Sequence, residues 1–207
     1  MNCKKCGNRS TADSYFVCEN CYSMDRNLPT NVKSSDWIRI NGIDEQVKFA
    51  GKEKLRNFIL TSYYTDDIVS DRKRSVVVIG NKMEILVTED TIDKLAKESG
   101  LLSGKWTIYK PEGEINETWK IIASSTAKKE LGTNAKVSTP LQIGSSKTYV
   151  ICVYTKNYFN LDDVNRVRKR LKEFGFSQKL YYKPDIYTYL NIYSGTFPNM
   201  KASRYSE

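Results

Sequence analysis

Four of the five cysteines form two closely spaced pairs near the N-terminus, a pattern that can bind a metal ion. They are Cys3, Cys6, Cys18 and Cys21, in the spacing C-x2-C-x11-C-x2-C. Each pair brings two thiolates onto one tight turn, and the four thiolates leave no open coordination position for catalysis. Disulfides are disfavoured because a cytosolic protein would not keep them oxidised. The spacing therefore predicts a structural Zn2+ ion in a zinc ribbon over residues 1–26.

A second candidate site is the segment LYYKPDIYTYLNIY at residues 180–193, in which tyrosines alternate with apolar residues. As an extended strand, its even positions would form a core face and its odd positions an aromatic row. The odd positions are Tyr181, Lys183, Asp185, Tyr187, Tyr189 and Tyr193. This row is either a solvent-facing strand rich in a good strand former or a ligand-binding surface, and the spacing leaves both interpretations open.

The positive charge of the chain is concentrated in its C-terminal half. The net charge is +9; the first 100 residues carry 16 basic and 15 acidic side chains, and the remaining residues carry 17 and 9. A polyanion would therefore dock on the C-terminal half. No apolar run approaches the roughly 20 residues of a membrane span, and the N-terminus lacks an apolar signal-peptide core. We expect a soluble cytoplasmic protein with no membrane partner.

The spacing of apolar residues, together with capping and turn residues, predicts the strands and helices that position these side chains. The polar segment NLPTNVKSSD at 27–36 is predicted to be a linker before a main domain over residues 37–207. Strands are predicted in WIRINGI, GKWTIYK, AKVS and KTYVICVYT, with a hairpin in SVVVIGNKMEILV. Helices are predicted in most of residues 44–62, over residues 91–99, in EGEINETWKIIASSTAKKELG and in NLDDVNRVRKRLKEFG. The absence of a Gly-rich phosphate loop favours an α+β sheet backed by helices over a Rossmann-like fold.

The helix predicted around residues 160–175 separates apolar from basic side chains. The apolar positions form one core stripe: Leu161, Val164, Val167, Leu171 and Phe174. Arg166, Lys169 and Arg170 project elsewhere, whereas Arg168 falls inside the apolar arc. Arg168 is therefore either a side chain whose stem snorkels to solvent or a cation that its neighbours hold in a pocket.

From about residue 104 onward the chain resembles an uncharacterised family of archaea and eukaryotes, named in animals for a basophilic-leukaemia-expressed protein. The similar segments are GKWTIYKP, ETWKIIASST, LGTNAKVS, VICVYT, DDVNRVRKRLKEFG and LYYKPDIYTYLNIY. The resemblance implies a curved, mainly antiparallel sheet backed by helices, similar to the cap-binding translation initiation factor. The zinc ribbon lies outside the family core. Some members carry a provisional label as phosphothreonine lyases.

The lyase label would require a lysine base and a histidine acid, and this chain contains no histidine. The base would be Lys136 or Lys183, the phosphate clamp Arg166 or Arg168, and the acid a tyrosine. An enzyme site on this face would bring together Lys136, Arg168, Lys183, Asp185 and Tyr187. No paired-carboxylate or GxSxG motif replaces the missing histidine, which favours a protein that is not an enzyme.

Cap binding needs two indoles on mobile loops. Of the three tryptophans, Trp106 has strand spacing and Trp119 has helical spacing with apolar neighbours, so both are predicted to be core residues. We therefore do not expect cap binding.

The leading hypothesis is a non-catalytic protein that binds RNA or ribonucleoprotein. The residues expected to contact it are Lys147, Lys156, Arg166, Lys169, Arg170, Lys179, Lys183, Tyr187 and Tyr189. Tyrosines can stack on bases, and the cations can contact phosphates. The alternative is an enzyme or phosphate-recognition site for a phosphorylated protein or small ligand. An open basic surface would favour RNA, and a closed pocket burying Arg168 and Asp185 would favour the small ligand. A protein partner of the ribbon is a further possibility.

Overall fold

The computed structural model describes residues 14–18, 21–24, 27–41, 61–67, 72–79, 83–197 and 200–207. These residues form an α+β fold. The strands are β1 (Ser14–Val17), β2 (Trp37–Asn41), β3 (Thr61–Asp67), β4 (Arg72–Ile79), β5 (Met83–Leu86), β6 (Gly104–Pro111), β7 (Asn134–Ser138), β8 (Thr148–Thr155), β9 (Tyr181–Pro184) and β10 (Tyr205–Ser206). The helices are α1 (Glu89–Ser99), α2 (Glu112–Ala127), α3 (Pro140–Ile143), α4 (Leu161–Glu173) and α5 (Asp185–Tyr189).

The chain divides into two compact units. The first unit comprises Met1–Gln46, Lys105–Tyr181 and Glu207. The second unit comprises Val47–Gly104 and Tyr182–Ser206. Among the helices that the structure describes, none is long and apolar enough to cross a membrane.

The first unit contains a helix-backed sheet in which β1, β2, β7, β8 and β6 are neighbours in that order. β1 runs parallel to β2, whereas β2, β7 and β8 are antiparallel to one another. Lys136 of β7 lies opposite Arg39 of β2 and Cys152 of β8. Because side chains alternate along a strand, Ala135 and Val137 lie on the other face, which α2 covers. The strands predicted in this part of the chain are confirmed.

Two predicted helices are confirmed with their end signals. α1 begins after Thr88, whose side chain accepts a hydrogen bond from the amide of Thr91, and ends at Gly100 with a φ of 72°. α4 begins after Asn160, whose side chain accepts a hydrogen bond from the amide of Asp163. The buried stripe of α4 is narrower than predicted, since Leu161 in its first turn is 49% exposed.

The second unit contains a three-stranded antiparallel sheet in the order β3-β4-β5. The hairpin predicted from SVVVIGNKMEILV corresponds to β4 and β5. Most of the helix predicted over residues 44–62 lies outside the described residues. Residues 61 and 62 belong to β3, so the predicted helix does not extend to them.

Residues 180–193 do not form the single strand predicted from parity. β9 ends at Pro184, which has no backbone N–H for further strand pairing, and α5 begins at Asp185. The amide of Asp185 donates instead to the Ser103 carbonyl, at 2.8 Å. Because the period changes from two to 3.6 residues at Pro184, the odd positions do not share one face.

Residues 27–36 are a packed segment rather than a free linker. Leu28 and Val32 are buried, and Thr30 exchanges hydrogen bonds with the side chain of Asn116 on α2. The Thr139 hydroxyl donates to the Ser35 carbonyl, at 2.6 Å. These contacts join the segment to the helix-backed sheet. The boundaries of the zinc ribbon stay a prediction, because residues 1–13 lie outside the described residues.

Candidate functional site

Half of the predicted metal site is a cysteine turn directly after β1. The amides of Cys21 and Tyr22 both donate to the Cys18 carbonyl, at 3.1 and 3.0 Å. This turn brings the two Sγ atoms within 3.5 Å of each other. Tetrahedral zinc with Zn–S bonds of about 2.3 Å would separate two thiolates by about 3.8 Å, so the pair fits two positions of such a site. The side chain of Asn27 donates to the Cys21 carbonyl at 2.8 Å and holds the turn in place.

The other two predicted ligands, Cys3 and Cys6, lie outside the described residues. Within the described part of the chain, no group of three or more His, Cys, Asp or Glu residues could hold a metal ion. The described turn can therefore supply two of the four predicted ligands.

The outer face of α4 carries a basic stripe that we call the α4 groove. It is an open depression of about 490 Å3, lined by Asn165, Arg166, Lys169, Lys172 and Glu207. Arg166, Lys169 and Lys172 recur every three residues, a spacing that keeps them on neighbouring turns of one side of the helix. Lys172 was not among the predicted contact residues, although its spacing from Lys169 is a sequence signal for it.

Most cations of the α4 face already have a carboxylate partner. Arg166 pairs with Asp163 at 2.8 Å, and Lys172 pairs with Glu207. The hydrogen bond from Lys172 lowers the pKa of the Glu207 carboxyl below its ordinary value. Lys169 is exposed and makes no ion pair with any described residue. These pairs are largely exposed, so each contributes at most about 1 kcal/mol and a phosphate can compete with the carboxylate.

Arg170 lies further round the helix and is also engaged. Its guanidinium pairs with Glu173 at 2.7 Å and with Glu130 at 3.3 Å. The pKa of Arg170 is raised, first of all by the hydrogen bond to Glu173. Because two carboxylates offset its charge, Arg170 offers a ligand less positive charge than its exposed position on the helix led us to predict.

The predicted lysine contacts of the first unit do not all converge on the α4 groove. Lys147 and Lys156 are exposed and flank β8, one before and one after the strand. A strand of this length separates them by about 30 Å. One compact site cannot use both, although an extended strand of RNA could reach from one to the other.

Arg168 is buried and held by the protein itself. It is 1% exposed, and its guanidinium donates to the carbonyls of Phe176 at 2.7 Å and Gln178 at 2.8 Å. Its carbon Cζ lies 5.8 Å from the centroid of the Trp106 ring. Burial lowers the pKa of Arg168, and the charge of Glu207 partly offsets this. The pocket interpretation is confirmed, and the snorkelling interpretation is wrong.

Lys136 lies on the sheet face that α2 and α4 do not cover. Its Nζ lies 3.6 Å from the centroid of the Trp37 ring, which fits a cation–π contact. Arg168 contacts Trp106 on the opposite face, where the Trp106 indole donates to the Val164 carbonyl of α4. Lys136 and Arg168, two of the five residues of the predicted enzyme site, are therefore on opposite sides of the sheet.

In the second unit, the predicted site residues take part in internal contacts. Asp185 is buried and accepts a hydrogen bond of 2.5 Å from the Ser103 hydroxyl. The Nζ of Lys183 lies 3.5 Å from the centroid of the Tyr193 ring. Tyr189 is half-buried on α5. These contacts account for Lys183 and Asp185 without a ligand.

Tyr187 is fully buried, which corrects the prediction that it is an exposed stacking residue. The physical reason is the helical period after Pro184, which turns Tyr187 inward with Ile186. Burial raises the pKa of Tyr187 to about 12, and the charge of Arg204 partly offsets this increase. Arg204 itself pairs with Glu89 and Asp93 of α1.

These features define an α+β protein with a helix-backed sheet, a cysteine turn and a basic groove on one helix. The family described as basophilic leukemia-expressed protein Bles03 matches residues 30–191, which is more than half of the chain. The chain therefore belongs to the Bles03 family, as its motifs predicted. The match begins after Cys21, so the cysteine turn lies outside it.

Proposed function

We propose that this protein binds RNA or ribonucleoprotein through the basic surface of its C-terminal half. The observation that carries the proposal is the α4 groove, an open surface where Lys169 has no described carboxylate partner. An open surface with several cations suits a flexible polyanion better than a small ligand, which binds in a concave pocket.

The helix-backed sheet supports a fold similar to that of the cap-binding initiation factor. Cap binding itself is not part of the proposal. Trp106 and Trp119 are buried, and both therefore lack the exposed ring that a sandwich requires.

The enzyme alternative, a phosphothreonine-lyase-like site, has less support. Lys136, one of its two candidate bases, and Arg168, one of its two candidate phosphate clamps, lie on opposite faces of one sheet. Arg168 and Asp185 are buried as that alternative requires, but both are bound to protein groups. A non-catalytic binding protein fits these observations better.

Lys169→Gln is expected to reduce the salt dependence of RNA binding. Each phosphate contact on a single strand contributes about −0.7 to the slope of log K against log salt concentration, so losing one contact makes the slope shallower by about 0.7. The measurement is fluorescence anisotropy with a single-stranded RNA at several salt concentrations. Lys94→Gln on α1 removes an equally exposed lysine and is expected to leave the slope unchanged. Equal slopes for wild type and both variants would contradict the role of the α4 groove.

We also propose that the cysteine turn, together with Cys3 and Cys6, holds a structural zinc ion. Purified protein is expected to contain one zinc per chain, and Cys18→Ser is expected to lose it. Loss of zinc should also lower the melting temperature, because β1 pairs along its length with β2 of the sheet. Metal analysis and thermal melts test both points, with Cys152→Ala as the cysteine control. Full zinc content in Cys18→Ser would refute this assignment.

A further inference from the structure

The sheet of the first unit has a face that α2 and α4 do not cover. Along β6, Trp106 and Ile108 are buried, and the Trp106 indole donates to the Val164 carbonyl of α4 at 3.0 Å. Strand alternation therefore places Thr107 and Tyr109 on the opposite face, the one that α2 and α4 do not cover. Tyr109 is 60% exposed, an unusually large exposure for an aromatic ring on a strand.

A second exposed tyrosine lies beside Thr107. The Thr107 hydroxyl donates to the Tyr181 carbonyl at 3.1 Å, and Tyr181 is 48% exposed. Its neighbour Tyr182 is fully buried and fills the space where a Cβ at Gly104 would lie. Gly104 and Thr107 have opposite parity along β6, so Tyr182 lies on the Gly104 side of this strand and Tyr181 on the side of Thr107 and Tyr109.

A lysine accompanies this pair of tyrosines. The Nζ of Lys179 lies 5.8 Å from the centroid of the Tyr181 ring, and the Lys179 side chain is exposed. We call Tyr109, Tyr181 and Lys179 the tyrosine surface. It combines two aromatic rings with a cation, as single-strand binding requires.

The same sheet face is cationic along its other strands. Alternation in β2, β7, β8 and β6 places Arg39, Lys136 and Lys105 on it, and no described strand position of this face carries Asp or Glu. Lys105 is buried beside the Tyr154 ring, whereas Arg39 and Lys136 are partly exposed. Cys152 and Tyr154 of this face are buried like Lys105, so Arg39 and Lys136 supply its accessible charge. This accessible charge is complementary to a polyanion.

We propose that unpaired bases of single-stranded RNA stack on Tyr109 and Tyr181, and that Lys179 contacts the phosphate backbone beside them. This inference rests on the proposed RNA-binding function and specifies a single strand as its ligand. In a duplex the flat faces of the bases are already stacked on one another, so exposed rings cannot pair with them. Stacking on tyrosine also tolerates any sequence, because every base has a flat face.

The test compares Tyr109→Ala and Tyr181→Ala with wild type in binding a labelled single-stranded RNA of about 12 nucleotides. Each variant is expected to bind about 5- to 100-fold more weakly with an unchanged salt slope, because stacking is lost but no charge is removed. Tyr109→Phe keeps the ring and is expected to bind like wild type. Tyr193→Ala is the matched control, because Tyr193 is 50% exposed and also has a lysine over its ring.

The outcomes separate this inference from the function on which it rests. If both alanine variants bind the RNA as wild type does while Lys169→Gln changes the salt slope, the tyrosine surface is refuted and the RNA-binding proposal stands. If wild type binds a duplex of the same sequence as tightly as the single strand, the stacking role is also refuted. If wild type binds no RNA at all, both proposals fail. Thermal melts of the variants are expected to match wild type, because both side chains are exposed.

Discussion

Tyr187→Ala is expected to lower the free energy of unfolding by about 3–5 kcal/mol, the usual cost of removing a buried aromatic side chain. Tyr187 is fully buried, as is its neighbour Ile186, and removal of its ring would leave a cavity that the surroundings fill only in part. Urea denaturation followed by circular dichroism measures this loss. Tyr193→Ala removes an exposed ring from the same segment and is expected to cost far less. Equal losses in the two variants would mean that Tyr187 is not a core residue.

The Tyr187 hydroxyl gives the same experiment a pH dependence. Its pKa is raised from 10.0 to about 12 by burial, so the folded state retains a proton that the unfolded state loses first. The stabilisation is therefore present below pH 10 and is lost as the pH rises from 10 towards 12, by up to about 3 kcal/mol. Tyr187→Phe has no hydroxyl group to lose this proton. In wild type the Tyr187 hydroxyl has no hydrogen-bond partner of good geometry among the described residues, so the substitution removes no such bond. We expect the variant to match wild type at pH 8 and to exceed it in stability near pH 11.

Arg168→Ala is expected to cost about 3–5 kcal/mol of unfolding free energy. The variant loses two hydrogen bonds from a charged donor, each contributing about 1.5–3 kcal/mol, and leaves the carbonyls of Phe176 and Gln178 without this donor. It also removes the side chain that packs on Trp106. Because these carbonyls belong to the turn after α4, we expect the turn to loosen. Hydrogen exchange over residues 174–180 measures this local effect.

Arg166→Ala is the matched control for Arg168→Ala on the same helix. Its exposed pair with Asp163 contributes at most about 1 kcal/mol, and its one hydrogen bond to a carbonyl, that of Leu131 at 2.8 Å, contributes about 1.5 kcal/mol. The variant should therefore lose less stability than Arg168→Ala, which gives up two carbonyl contacts. Arg168→Lys should recover part of the lost stability, since an ammonium can reach a carbonyl but lacks the two-pronged geometry of guanidinium. If Arg168→Ala costs no more than Arg166→Ala, the carbonyl contacts are not stabilising the turn.

The predictions that succeeded depend on neighbouring residues. The C-x2-C spacing placed Cys18 and Cys21 on one turn, and a capping residue, two early aspartates and the apolar spacing placed α4. The prediction that 180–193 is one strand was wrong because Pro184 interrupts the pairing, a break that the alternating apolar pattern conceals. Local sequence therefore determined the turns and helix ends. Motifs from about residue 104 onward also indicated the Bles03 family, which matches residues 30–191.

The candidate interface depends on contacts between residues far apart in sequence, which periodicity cannot supply. The apolar spacing of α4 predicted that Arg168 lies among apolar neighbours. Only the folded structure shows that the segment after α4 places the carbonyls of Phe176 and Gln178 where they accept hydrogen bonds from its guanidinium. In the same way, the sequence placed a row of tyrosines within residues 180–193. The exposed tyrosines of the candidate interface come instead from two strands, Tyr109 from β6 and Tyr181 from the start of β9, and a hydrogen bond places Tyr181 beside Thr107 of β6. The sequence by itself determined which residues are basic or aromatic and which cysteines are candidates for binding a metal. The tertiary structure decided which of them are buried and which share a face, since burial and strand pairing are set by the packing of distant segments.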